Sequence, residues 1–176
     1  YKKDNRTSTD YFSTLGEEKT TEIFSELKNK NFKLITDVHN LYELDLKLFD
    51  FIDVIQIPAY LCMQTELTTI AAKKGKIINL KKGQFLSPND VEKIVLKIKS
   101  AGNDNITITE RGTCFGYRDL MVDPRSFLIL KKLNYPVFFD VGHSVRKNGF
   151  PSSNVKDGGQ KEFGETYARA AISNFV

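Results

Sequence analysis

The chain has 176 residues, 40% hydrophobic and 27% charged: enough for one domain with a core of its own, and ordinary for a soluble globular protein. Its net charge of +4 is carried by basic residues spread along the sequence rather than interleaved with aromatics in one block. That argues against a nucleic-acid surface and suits small anionic ligands. The apolar runs are strand-length, too short for a membrane helix. Cys62 and Cys114 are too few for a disulfide framework, so a reducing cytoplasm is expected. The opening YKKDNRTSTDYF lacks the apolar run of a signal peptide, and the missing initiator Met implies an absent upstream segment.

Tyr1 to Gly16 is polar and rich in turn formers, and reads as a loop. Glu17 to Lys30 is a helix, acidic at its start and basic at its end, with Ile23, Phe24 and Leu27 on one face. A strand over Phe32 to Thr36 ends in Asp37-Val38-His39, and a short helix follows over Leu41 to Phe49. Asp53 to Ile57 is a second strand, stopped by Pro58. Gln64 to Lys74 is helical, ended by Gly75. Lys76 to Leu80 is a third strand, running into Lys81-Lys82-Gly83. Ser87 and Pro88 start a helix with Val91, Ile94, Val95 and Ile98 on one face. The fourth strand, Ile106 to Thr109, runs into Glu110-Arg111 and a glycine-punctuated loop over Gly112 to Tyr117. Asp123-Pro124 starts another helix, Pro136 to Phe139 is the fifth strand, and a last helix spans about Lys161 to Ser173.

Strand and helix alternate five times, which predicts an α/β fold built from parallel βαβ units. A doubly wound sheet and a (β/α)8 barrel both fit. Neither G-x-G-x-x-G nor a Walker A sequence occurs. The strands turn polar at their carboxyl ends: Asp37 with His39, Gln56, Lys81, Arg111, then Asp140 with His143. That is the sequence pattern of a barrel site. Lys81 and Arg111, with Lys3 and Arg6 in the opening loop, make the rim cationic, suited to phosphate or carboxylate. Lys81 and Lys82 point to opposite faces, so one of them serves the interior. G-x-S-x-G, C-x-x-C and H-E-x-x-H are absent. His143 stays open between a hydrogen-bonding and a ligand role, and Cys114 reads as a small buried thiol.

Six blocks then match a known family: KDNRTS (Lys3 to Ser8), TDVHN (Thr36 to Asn40), DVIQIPAYLCMQTEL (Asp53 to Leu67), INLKKGQFLSP (Ile78 to Pro88), TERGTCFGYRDLMVD (Thr109 to Asp123) and FDVGHSV (Phe139 to Val145). In order and spacing they resemble the 3-deoxy-D-manno-octulosonate 8-phosphate synthase family. The resemblance implies a (β/α)8 barrel, a homotetramer, and condensation of phosphoenolpyruvate with D-arabinose 5-phosphate in lipopolysaccharide sugar synthesis. It implies that Lys81 and Arg111 hold the phosphoenolpyruvate phosphate, with Gln56 and Gln84 nearby. Lys3 would lie between the substrates, Asn5 and Asp37 on the arabinose hydroxyls, Arg6 and Thr7 on its phosphate, and His143 over phosphoenolpyruvate.

The family divides into metal-dependent and metal-independent branches. KKGQF, TERGT and HSV resemble the former, in which His143 would be one ligand of a divalent metal; the choice stays open. Met63 stands where the family has arginine, and Phe12 to Gly16 and Asp157 to Lys161 also depart from its pattern. A complete barrel takes about 250 residues. The chain is therefore expected to be a single barrel domain recorded incompletely at both ends, inactive alone. Two other functions remain: a related synthase using phosphoenolpyruvate with another sugar, and a non-catalytic barrel remnant that binds phosphate.

Overall fold

A computed structural model describes residues 15–115, 119–146 and 160–176. Five strands form one parallel sheet: β1 (Ile35–Asp37), β2 (Val54–Ile57), β3 (Ile77–Lys81), β4 (Ile106–Glu110) and β7 (Val137–Phe139). Between β4 and β7 lies an antiparallel hairpin of β5 (Thr113–Phe115) and β6 (Asp119–Met121). The helices are α1 (Glu17–Asn29), α2 (Thr65–Lys73), α3 (Val91–Ser100), α4 (Arg125–Lys131), the single turn α5 (Val141–Ser144) and α6 (Gly164–Ser173).

The sheet order is β1-β2-β3-β4-β7, so each strand lies beside the one before it in the chain. A doubly wound sheet reverses direction at a switch point. Here there is none, and right-handed crossovers that always advance one way lay their helices on one face. This is the progression of a (β/α)8 barrel wall, and it decides between the two architectures left open by the sequence.

The helix-side face holds the core. Ile55, Ile57, Ile78, Leu80, Ile106 and Ile108 are buried there against Leu67 and Ala71 of α2 and Val91, Ile94 and Ile98 of α3. Isoleucine at alternate strand positions fits both the pleat and this packing. On the opposite face Ile35 and Ile77 are exposed at the sheet's amino-terminal level, while polar side chains and the exposed Phe138 occupy the carboxyl-terminal levels.

The structure corrects several expected boundaries. The first strand is Ile35–Asp37, because α1 closes with a left-handed Asn31 (φ 62°) and Phe32 N–H returns to Leu27 O at 3.0 Å. The helix expected over Leu41 to Phe49 is two 3-10 turns broken at extended Leu46. Asp140 to His143, read as a polar strand end, begins a helical turn. The aromatic loop after Arg111 contains the β5–β6 hairpin, whose strands are too short to show alternation. Cys62 is the buried thiol, and Cys114 is partly exposed.

Candidate functional site at the carboxyl ends of the strands

The site grows out of strand alternation. In β4, Ile106-Thr107-Ile108-Thr109, isoleucines face the helices and threonines the other side. Parallel register sets Asp37 beside Gln56, Gln56 beside Asn79, and Asn79 beside Thr107. A hydrogen-bond chain crosses the four strands. Thr107 and Thr109 donate to Asn79 Oδ1 at 3.0 and 2.9 Å, Asn79 Nδ2 donates to Gln56 Oε1 at 2.7 Å, and Gln56 Nε2 donates to Asp37 Oδ1. Every donor points toward Asp37, so the chain is polarised and ends on a carboxylate, an acceptor without a proton to give.

One level higher on the same face is Lys81, paired with Asp140 at 2.6 Å. Asp140 caps the helical turn α5: its Oδ1 accepts from His143 N–H at 2.9 Å, and its Oδ2 lies 2.7 Å from His143 Nδ1. Burial pushes the Asp140 carboxyl up, but hydrogen bonds from His143 and Lys81 outweigh it and hold the group well below the usual range.

Arg111, next after β4, is 95% buried by exposure (5% accessible), yet its Nε and Nη1 have no hydrogen-bond partner among the described residues. Burial pulls its basicity down, offset by the fields of Tyr60 and Asp140 and reinforced by nearby Arg146. A buried guanidinium with open donors is set for an anion, since leaving them open costs free energy.

The turn that carries Arg111 is held from the helix side. Glu110 Oε1 accepts the N–H groups of Arg111 and Gly112 at 2.8 and 2.7 Å, and Gly112 takes φ +88°. Lys82 is fully buried, 3.3 Å from Glu110 Oε1, and donates to Thr113 Oγ1 at 3.0 Å and to the Gly112 carbonyl at 3.4 Å. Of the two adjacent lysines, Lys81 therefore serves the open face and Lys82 the framework. Gln84 is buried in the turn after β3; its carbonyl accepts from Cys114 N–H at 2.7 Å, and its Oε1 has no partner among the described residues.

Of the site residues expected from the sequence, Lys81 and His143 meet at Asp140, whose field also reaches Arg111, and Asp37 and Gln56 belong to the hydrogen-bond chain through Asn79 on the same face. Lys3, Asn5, Arg6 and Thr7 lie outside the described residues. Sequence reasoning passed over Asn79, Thr107, Thr109 and Arg146. The strict I-T-I-T alternation of β4 and the lone amide within Ile77–Leu80 were the available signals. His39 is engaged with Glu43: its backbone N–H donates to that buried carboxylate at 2.7 Å, and its Nδ1 lies 3.9 Å from the same oxygen. Among the described residues no three His, Cys, Asp or Glu side chains cluster as a metal site. They offer His143 alone as a ligand and do not by themselves fit a metal.

A family profile described as the DAHP synthetase I family matches residues 1–175. The chain belongs to the DAHP synthetase I family. This family folds as a (β/α)8 barrel, and the five-stranded wall is part of one. Within it the chain is similar to proteins named 2-dehydro-3-deoxyphosphooctonate aldolase. It is 44% identical to that of Trichlorobacter lovleyi over 177 residues, which covers 100% of this chain and 64% of the relative. Identity is also 44% over 174 residues with those of Geobacter sp. strain M21 and Brucella ovis, covering 98% of this chain and 63% and 62% of the relatives. The chain thus spans less than two thirds of the length of these relatives.

Proposed function

We propose that this chain forms the phosphoenolpyruvate-handling part of a 3-deoxy-D-manno-octulosonate 8-phosphate synthase, a transferase of lipopolysaccharide sugar synthesis, within one (β/α)8-barrel domain. The observation that carries the reading is the buried Arg111 guanidinium, whose Nε and Nη1 have no hydrogen-bond partner among the described residues, in the field of the Asp140 that pairs with Lys81 and His143. Kinship at 44% identity with proteins named 2-dehydro-3-deoxyphosphooctonate aldolase supports it.

In this reading Arg111 and Lys81 bind the phosphate of phosphoenolpyruvate, with Gln56 and Gln84 alongside. Lys3 lies between the substrates; Asn5 and Asp37 bind the hydroxyls of arabinose 5-phosphate, and Arg6 and Thr7 its phosphate. C3 of the enol phosphate attacks the aldehyde carbon, and the aldehyde oxygen takes a proton to become a hydroxyl. Water adds to the cationic C2 and loses a proton; the bond from C2 to the phosphate oxygen then breaks while the new hydroxyl gives its proton to the departing phosphate, which leaves the ketone and inorganic phosphate. His143 stands where that water's proton is received. Such chemistry needs fixed cations and proton carriers rather than a covalent nucleophile.

Two free cysteines support a cytoplasmic setting, and among the described residues no helix is long and apolar enough to cross a membrane. Exposed Tyr60, Met63, Phe85 and Phe115 on the rim side support assembly as a homotetramer. The test is phosphate release by the full-length protein from phosphoenolpyruvate with arabinose 5-phosphate, erythrose 4-phosphate or N-acetylmannosamine. Turnover with the first alone is expected. Turnover with either of the others in its place identifies a related synthase, and phosphoenolpyruvate binding without any turnover identifies a non-catalytic barrel.

A further inference from the structure

The carboxylate of Asp140 touches both Lys81 and His143. Its Oδ1 accepts from the His143 backbone N–H at 2.9 Å, while its Oδ2 meets Lys81 Nζ at 2.6 Å and His143 Nδ1 at 2.7 Å. Lys81 comes from β3 and His143 from α5, and β4 lies between β3 and β7 in the sheet. Asp140 therefore spans the width of a strand to hold both. Two anchor points on one residue, backbone and ring, fix the position of the imidazole and its rotation together.

An ionised carboxylate only accepts hydrogen bonds. Facing Nδ1, it requires the ring proton there, so that a neutral ring carries its lone pair on Nε2. The His143 side chain keeps 38% of its surface exposed, so the ring is not sealed off by its bond to Asp140. The same carboxylate is a negative charge inside an anion site. It opposes ligand binding even as it aligns Lys81, so it works against affinity and for orientation.

We propose that Asp140 is a positioning residue that sets the Nδ1–H tautomer of His143 and the direction of Lys81, at a cost in affinity for the anionic substrate. This rests on the reading of the site as one for phosphoenolpyruvate. In the full-length protein, Asp140→Asn removes the charge and gives the ring an amide that can present either an oxygen or a donor. The expected result is a fall in kcat of at least about tenfold, with phosphoenolpyruvate bound as tightly as by the wild type or more tightly. Lys81→Ala, by contrast, should weaken phosphoenolpyruvate binding. Asp140→Glu should recover part of the turnover lost in Asp140→Asn.

A residue needed only for folding would lower the melting temperature without producing this split between turnover and binding. Long-range proton–nitrogen NMR spectra, recorded where the ring is neutral, should show His143 protonated at Nδ1 in the wild type. A wild-type ring protonated at Nε2, kcat within about twofold of wild type in Asp140→Asn, or an affinity loss parallel to that of Lys81→Ala would each overturn the proposal. Should Asp140→Asn fail to fold, Asp140→Glu and the wild-type spectrum decide it. Absence of phosphate release from the wild type with any aldose would sink the functional reading instead, and the spectrum would still judge Asp140.

Discussion

Arg111 keeps a charge where burial opposes it, with two of its donor atoms unmatched among the described residues. A ligand that supplies two acceptors would relieve that cost, and a planar guanidinium meets them as a fork. Arg111→Ala in the full-length protein is expected to weaken phosphoenolpyruvate binding by about a hundredfold or more, since each hydrogen bond to a charged group is worth about 1.5–3 kcal/mol. Arg111→Lys should restore little of it, because an ammonium is a point donor; calorimetric titration measures both. If neither Arg111→Ala nor Lys81→Ala changes the affinity, the phosphate assignment is wrong. These two residues were legible in sequence because each ends an apolar strand with a cation. Asn79 was not, because its role depends on register: only when Gln56 and Thr107 stand on either side does a lone amide become a link in a chain.

At the scale of elements, the turn after β4 depends on a buried ion pair. Glu110 holds two backbone N–H groups of that turn, and Lys82 joins Glu110 to the hairpin. Lys82→Met would leave the Glu110 carboxylate buried without its cation, which costs about 3–5 kcal/mol. Lys82→Met with Glu110→Gln should lose less than the single substitution, because no bare charge remains; denaturant titration separates them. The hairpin escaped the sequence reading for a physical reason. Three-residue strands carry no measurable period, and what holds them is a lysine and a glutamate from neighbouring strands. The helix starting at Ser87, by contrast, was legible because its start is local: Ser87 Oγ accepts from Asn89 N–H at 3.3 Å, with Pro88 at the first position.

For the molecule as a whole, pH dependence follows from carboxylates held low in the fold. The side-chain hydrogen bond from Lys28, at 2.8 Å, and the Leu34 N–H lower Asp53, and Asp140 is held low as well. Groups depressed by folding stabilise above their unfolded value, about 3.9, and lose that contribution as pH falls below it. The melting temperature should therefore stay nearly level from neutral pH to about 5 and drop steeply below about 4. Asp53→Asn should melt lower than wild type at neutral pH, and the gap should close in acid. The five-strand rhythm was legible throughout because each βα unit carries its own periodicity, whereas the choice of barrel wall over doubly wound sheet needed the observed strand order. That order also bears on how the chain comes together. Each of these five strands pairs with its predecessor, so pairing within this wall never waits for a distant segment, and contacts of short sequence separation speed folding. A growing chain can add one βα unit at a time to an existing edge. The cations arrive first on β3 and after β4, and the aspartate that pairs with Lys81 arrives only after β7, the fifth of these strands. Until then the site lacks the carboxylate that pairs with Lys81 and whose field reaches Arg111, so the docking of β7 is drawn in by the electrostatics of the site it completes.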